Sequence, residues 1–198
     1  MKIINLTNIP DKRQDKNTTS LKFKHDLIDF FQNIEGSEEF ICTEVGISLG
    51  YSTSILAQLF KTVYALEYDG SNVERAKKFN EKHSNIIYRT IDVYREDWGV
   101  EETVNVSFID CVHDYVHVKQ DISNSLKKGK EEIYLVFDDY GNIAPVHQAI
   151  DDFISHGTGN PGQPELIKVT YIGEPKGNSP RVGLVLQDWE GIIVKVKL

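Results

Sequence analysis

Glu44-Val45-Gly46-Ile47-Ser48-Leu49-Gly50-Tyr51-Ser52-Thr53 is the stretch that decides the fold. Phe40-Ile41-Cys42-Thr43 precedes it, short and mostly apolar, and reads as a buried strand. After it, Ile55, Leu56, Leu59 and Phe60 recur at helical spacing. A strand therefore ends in an acid, turns over two glycines and enters a helix. Glycine lets backbone approach a ligand where a Cβ would collide, and the free N–H groups of a helix start attract anionic ligand groups. Ser48, Ser52 and Thr53 add hydroxyls at the same corner.

A plain strand–turn–helix corner is one reading. A dinucleotide site is another, but it wants G-x-G-x-x-G, and the middle glycine here is Ser48. A carboxylate at Glu44 would repel a pyrophosphate and suit a cationic amino group. The stretch resembles the E-x-G-x-x-x-G-Y-S-T signature of class I methyltransferases, especially the metal-dependent small-molecule O-methyltransferases. That resemblance implies S-adenosylmethionine as cofactor, with Glu44, Gly46, Ser48, Gly50 and Ser52 around it. It also implies an α/β fold, a Rossmann-like parallel sheet with helices on both faces and an antiparallel C-terminal hairpin.

The rest of the chain follows that grammar. Residues 7–20 are polar and aperiodic, which predicts a mobile arm or loop, with an N-terminal arm over 1–20 ahead of a single domain over 21–198. Phe23, Leu27, Phe30 and Phe31 mark one helix face, explained either by cleft cover or by core packing. Thr62-Val63-Tyr64-Ala65-Leu66 predicts the second strand. It ends in Glu67, 23 residues past Glu44, where nucleotide-binding α/β folds place an acid on ribose hydroxyls. The third strand, 86–91, runs into Asp92, which the resemblance places beside the adenine. Trp98 is read as core or as a stacking partner.

Residues 104–109 form the fourth strand and reach Asp110. Tyr115, Val118, Ile122 and Leu126 line the next helix, with Gly129 as its C′ residue. The fifth strand, 133–137, runs into Asp138-Asp139. Val146, Ile150, Phe153 and Ile154 give a further helix, and residues 155–164 a loop. Three strands are then expected at 165–172, 182–187 and 192–197, linked antiparallel.

Ligands sit beyond the carboxyl ends of parallel strands. Five carboxylates (Glu44, Glu67, Asp110, Asp138 and Asp139) gather there, and crowded like charges need a cation or hydrogen bonds. With Glu44 and Glu67 on the cofactor, Asp110, Asp138 and Asp139 remain, and such oxygens suit Mg²⁺, Mn²⁺ or Ca²⁺. Phe108-Ile109-Asp110 with His113 and Tyr115 resembles the F-I-D-G-x-H-x-Y stretch of sugar and macrolide O-methyltransferases, and Phe137-Asp138-Asp139-Tyr140 their second acidic pair. Catechol-type relatives carry D-x-x-K and D-N at these places and bind a divalent metal there. The usual glycine after the first acid is Cys111, and the usual G-G before the fifth strand is Gly129-Lys130. The resemblance thus implies a divalent ion, Mg²⁺ first, on Asp110, Asp138 and Asp139. His113 is read as a base or as a structural histidine, with Asp110 as rival base and a neighbour of the cofactor. His117 is read as a helix-surface residue.

Composition narrows the partners. Charged residues make up 26% of the 198-residue chain and the net charge is −8, which argues against a nucleic-acid backbone. No apolar run reaches a membrane span. Two cysteines without metal-type spacing fit a reducing cytoplasm. The expected partner is a small hydroxylated acceptor, with a homo-oligomer left open. Two other classes also fit: a metal-independent methyltransferase acting on an amine or carboxylate, and a non-catalytic module of the same fold.

Overall fold

The computed structural model describes residues 3–156, 164–181 and 183–198. Among them the sheet has seven strands, β1 (Ile41–Val45), β2 (Thr62–Glu67), β3 (Ile86–Thr90), β4 (Val106–Ile109), β5 (Glu132–Phe137), β6 (Glu165–Ile172) and β7 (Gly191–Lys197). Their spatial order is β3-β2-β1-β4-β5-β7-β6. The first five are parallel, while β7 runs antiparallel between β5 and β6. The expected Rossmann-like architecture is what forms.

Side-chain alternation builds two cores. Ile133, Leu135 and Phe137 of β5 join one cluster with Ile192, Val194 and Val196 of β7. Tyr134 and Val136 face the other way, into a cluster with Phe23, Phe31, Ile55 and Leu56. This period of two lets each strand serve helices on both faces. Helices α1 (Leu21–Gln32) and α2 (Tyr51–Leu59) pack on one face. Helices α4 (Tyr115–Lys128) and α5 (Ala144–His156) pack on the other. Helix α3 (Gly70–Phe79) closes the β2–β3 crossover. Trp98 is core, 2% exposed, with its indole N–H donating to Val93 O at 3.0 Å. Cys42 is buried, and both cysteines are free.

Three expectations change. Residues 183–187 form a turn and irregular chain in place of a strand, and Val182 lies outside the described residues. Both edges of β7 are taken, by β5 and β6, so the segment cannot form the hairpin with β7 that its position suggests. Gln187 N instead donates to Gly141 O at 2.9 Å, which lays this connection over the end of β5. Gly129 caps α4 in an extended conformation, φ −75, so no left-handed C′ turn forms. A Cβ there would stand 2.5 Å from Leu198 Cδ1 and 3.3 Å from Ile133 Cβ, so a larger residue would need Leu198 to shift. The third concerns the arm, where the loop alternative is what forms. It has no regular structure, yet Ile9, Asp11, Lys12, Thr19 and Ser20 are all buried. Of the loop expected at 155–164, residues 157–163 lie outside the described residues. No helix among the described residues is long and apolar enough to cross a membrane.

Candidate active site

Chain order reverses between β1 and β4, and the site lies at that switch point. Asp110 N donates to Val45 O (3.0 Å), Asp138 N to Ile109 O (3.4 Å) and Gly46 N to Leu66 O (2.9 Å). These bonds hold the ends of β2, β1, β4 and β5 side by side. A cleft of about 420 Å³ opens above them, walled by Gly46, Ser48, Glu67, Asp110, His113 and Asp139 among others. A smaller pocket of about 260 Å³ continues past Tyr68 and Val112 to Ile91, Asp92 and Val93.

Glu67 organises the first loop. Its Oε2 accepts from Ser48 N (3.1 Å) and Ile47 N (3.3 Å), and its Oε1 from Asp69 N (3.0 Å). An ionised carboxylate offers about four acceptor positions, so one stays available at the cleft wall. Gly46 (φ +85) belongs to this corner, since a Cβ there would stand 2.2 Å from Asp110 O. Gly50 (φ +79) serves packing instead. Its Cβ would meet Ala76 Cβ of α3 at 2.8 Å, and it is not part of the cleft wall. Ser52 stands half-buried in the first turn of α2. Asp92 lines the smaller pocket and turns its own loop, Oδ1 accepting from Tyr94 N at 3.1 Å.

Glu44 lies inside β1 and is fully buried, away from the cleft wall. Neither of its carboxylate oxygens has a hydrogen-bond partner. Burial pushes its carboxyl up to about 8, with the nearby Ser52 and Thr53 hydroxyls acting the other way. Buried acceptors without partners are costly, and a cationic donor would satisfy them. Glu67 with a spare acceptor, an apolar pocket beside it and the unpaired Glu44 together fit S-adenosylmethionine.

The second half of the rim gathers His113 with Asp110, Asp138 and Asp139. His113 Nε2 lies 3.0 Å from Asp110 Oδ1 and 3.8 Å from Asp139 Oδ2. The Asp110 bond, against opposing burial, raises the imidazole above its ordinary pKa. Asp114 caps α4, its Oδ1 accepting from His117 N at 2.9 Å, and the His117 ring packs on Tyr94.

Asp139 adopts a left-handed conformation, φ 55, which Asp tolerates better than most residues. Its Oδ1 accepts from Asn142 Nδ2 (2.9 Å) and Lys12 Nζ (2.9 Å), and Asp138 Oδ2 accepts from the same ammonium at 3.4 Å. Glu190 Oε1 is 4.0 Å from Lys12 Nζ. Burial alone would lower the Lys12 pKa, but Asp138, Asp139 and Glu190 outweigh it and the ammonium is held above its ordinary value. Asp139, pulled up by burial, ends below the usual range because Lys12 and Asn142 outweigh it. Burial drives Asp138 up, and its Oδ1 has no partner.

The structure therefore brings Glu67, Asp110, His113, Asp138 and Asp139 to one cleft. Of the three acids expected on a metal, Asp110 and Asp139 have oxygens within 4.8 Å of each other and of a His113 ring nitrogen. Asp138 stands outside that group, held by Lys12. Sequence reading missed Lys12, Glu190 and Arg181, which also borders the cleft. The crowding of acids signalled that a cation was needed, but nothing marked Lys12 out within a polar run.

Residues 43–140 match the model of a family described as a methyltransferase domain. No curated protein sequence matches the chain. Among solved structures, an O-methyltransferase from Bacillus cereus in complex with S-adenosylhomocysteine superposes with a TM-score of 0.64 at 18% identity, covering 100% of this chain and 92% of that one. An N-methyltransferase from Bradyrhizobium japonicum, also in complex with S-adenosylhomocysteine, gives 0.61 at 16% identity, over 88% and 85%. An rRNA methylase from Streptococcus thermophilus gives 0.60 at 13%, over 89% and 96%.

Proposed function

We propose that this chain is a class I S-adenosylmethionine-dependent methyltransferase that methylates a hydroxyl oxygen of a small molecule, a reading supported by the match of residues 43–140 to a methyltransferase-domain model. The observation that carries the choice is the Asp110–His113 pair at the cleft wall, 3.0 Å apart. A hydroxyl acceptor must lose a proton as it reacts, and a histidine oriented by a carboxylate is suited to take it. With the proton of the neutral ring on Nε2, toward Asp110, Nδ1 becomes the basic nitrogen. S-adenosylmethionine supplies an electrophilic methyl group. Glu67 holds the ribose, and the pocket past Tyr68 and Val112 receives the adenine. Fixing the acceptor oxygen near the methyl carbon is the larger part of the rate gain. The net charge of −8 favours a small acceptor over nucleic acid.

A second reading adds a divalent ion, favoured by the close approach of Asp110, His113 and Asp139. Such donors suit Mg²⁺ or Mn²⁺, and an ion there supplies Lewis acidity toward the hydroxyl. Asp138 stands outside this group, with its Oδ2 on Lys12.

The test is incubation with methyl-deuterated S-adenosylmethionine and matched panels of hydroxyl, amine and carboxylate acceptors. Mass spectrometry locates the label. Transfer to hydroxyls above the other panels is expected. Transfer confined to amines or carboxylates overturns the reading.

A further inference from the structure

We propose that Lys12 is the resident cation of this site. It takes the place of a divalent ion on the Asp138–Asp139 pair, so that transfer runs without metal and divalent ions bind well only when the lysine is removed. This deepens the hydroxyl-methylation reading and rests on it for its catalytic half.

Adjacent carboxylates buried at the end of β5 need a compensating charge. The Lys12 side chain is 1% exposed and those of Asp138 and Asp139 are each 4% exposed. The ammonium lies within 3.4 Å of both carboxylates and 4.0 Å from Glu190. A magnesium ion binds oxygens at about 2.0–2.1 Å in near-ideal octahedral geometry. Lys12 Nζ takes Asp138 Oδ2 and Asp139 Oδ1, so an ion using those two oxygens must enter the space that Nζ occupies. An ion on Asp139 Oδ2 beside His113 would share that carboxylate with the ammonium and be repelled by it.

The lysine is delivered by a fastened segment. Asp11 Oδ1 accepts from Arg13 N at 2.7 Å, and its Oδ2 from Leu21 N at 3.0 Å, closing the arm on itself. Lys24, itself buried, donates to Pro10 O at 2.8 Å and to Thr19 O. Arg13 pairs with Glu174 at 3.2 Å. These ties surround Lys12 on both sides in sequence, so its ammonium is held at the site by the fold. Lys12 acts through Asp139, whose Oδ2 lies 3.8 Å from His113 Nε2. It is thus a positioning residue, holding the Asp139 carboxylate in place beside the base.

The test has a binding arm and a kinetic arm. Mn²⁺ is titrated by electron paramagnetic resonance into wild type, Lys12→Ala and Lys12→Met, with no acceptor present and folding checked by thermal melting. Lys12→Ala is expected to bind Mn²⁺ on the order of ten-fold tighter or more, because a neighbouring positive charge is gone. In the kinetic arm, wild type keeps its turnover after exhaustive chelation. Lys12→Ala loses turnover and regains part of it with Mg²⁺ or with methylammonium, a rescue that a purely structural role would not give. Tight Mn²⁺ binding by wild type, or loss of its turnover on chelation, overturns the proposal whatever the variants do. Because the Mn²⁺ arm needs no acceptor, it decides the cation question even if hydroxyl methylation itself fails.

Discussion

His113 Nε2 stands 3.0 Å from Asp110 Oδ1, joining the start of α4 to the end of β4 across the mouth of the cleft. The Asp110 carboxylate stabilises the imidazolium, with Asp139 and Asp138 adding to it, so the folded-state pKa lies above 6.5. The neutral ring, and with it the base, is therefore gained as pH rises through a value above 6.5. Turnover should rise with pH along that limb. His113→Ala should lose about 10²–10⁴-fold in rate with donor affinity little changed. His113→Gln should not restore it, since an amide hydrogen-bonds but does not take the proton at neutral pH. Single-turnover kinetics across pH check this. Near wild-type rate in His113→Gln would make the histidine structural.

Glu67→Ala should weaken donor binding. A hydrogen bond to a charged acceptor contributes about 1.5–3 kcal/mol, on the order of 10–100-fold in affinity. Because Glu67 also accepts from three backbone amides, the melting temperature should fall as well. Calorimetry with S-adenosylhomocysteine reads the first effect and thermal melting the second. Unchanged affinity in a folded variant would remove Glu67 from the ribose.

Glu44 predicts a pH dependence of stability. Its folded-state value, about 8, lies above the ordinary 4.5 because of burial. Below pH 4.5 both states are protonated. Between 4.5 and 8 the unfolded chain ionises while the folded one keeps the proton, so stability falls as pH rises across that window. Every tenfold difference in proton affinity between the two states is worth about 1.4 kcal/mol. Glu44→Gln should therefore flatten the slope and be the more stable form near pH 8 without donor. Parallel wild-type and variant slopes in denaturant titrations at several pH values would contradict this.

Lys24→Met should free the arm. It leaves the carbonyls of Pro10 and Thr19 without their ammonium donor, at about 1–3 kcal/mol for each buried group left unpaired. Hydrogen exchange should rise over residues 9–20 before it rises in β1 or β4. Unchanged protection of the arm would show that the other ties suffice.

The parallel half of the fold was legible because each strand is a short β-branched or aromatic run closed by an acid. Thr62–Glu67 and Val106–Ile109 form within two residues of their expected limits. Glu67, Asp110, Asp138 and Asp139 were legible as rim residues for the same reason, since a strand end fixes where its last side chains stand. What failed depended on partners distant in sequence. Residues 183–187 read like a strand, but β7 had no edge left to pair with them. Gly129 looked like a left-handed helix terminator, while it sits extended against Leu198, far along the chain. Lys12 was indistinguishable from Lys16 in a polar run, and its burial depends on carboxylates 126 and 127 positions away.

A crystal structure of the protein with bound S-adenosylhomocysteine tests the assignment of the cleft most directly. Ribose hydroxyls are expected on Glu67, and the adenine in the pocket of Ile91, Val93 and Val112. The sulfur should lie on the side of the cleft walled by Asp110 and His113. A nucleoside bound elsewhere, or a cleft that stays empty at saturating ligand, would contradict it.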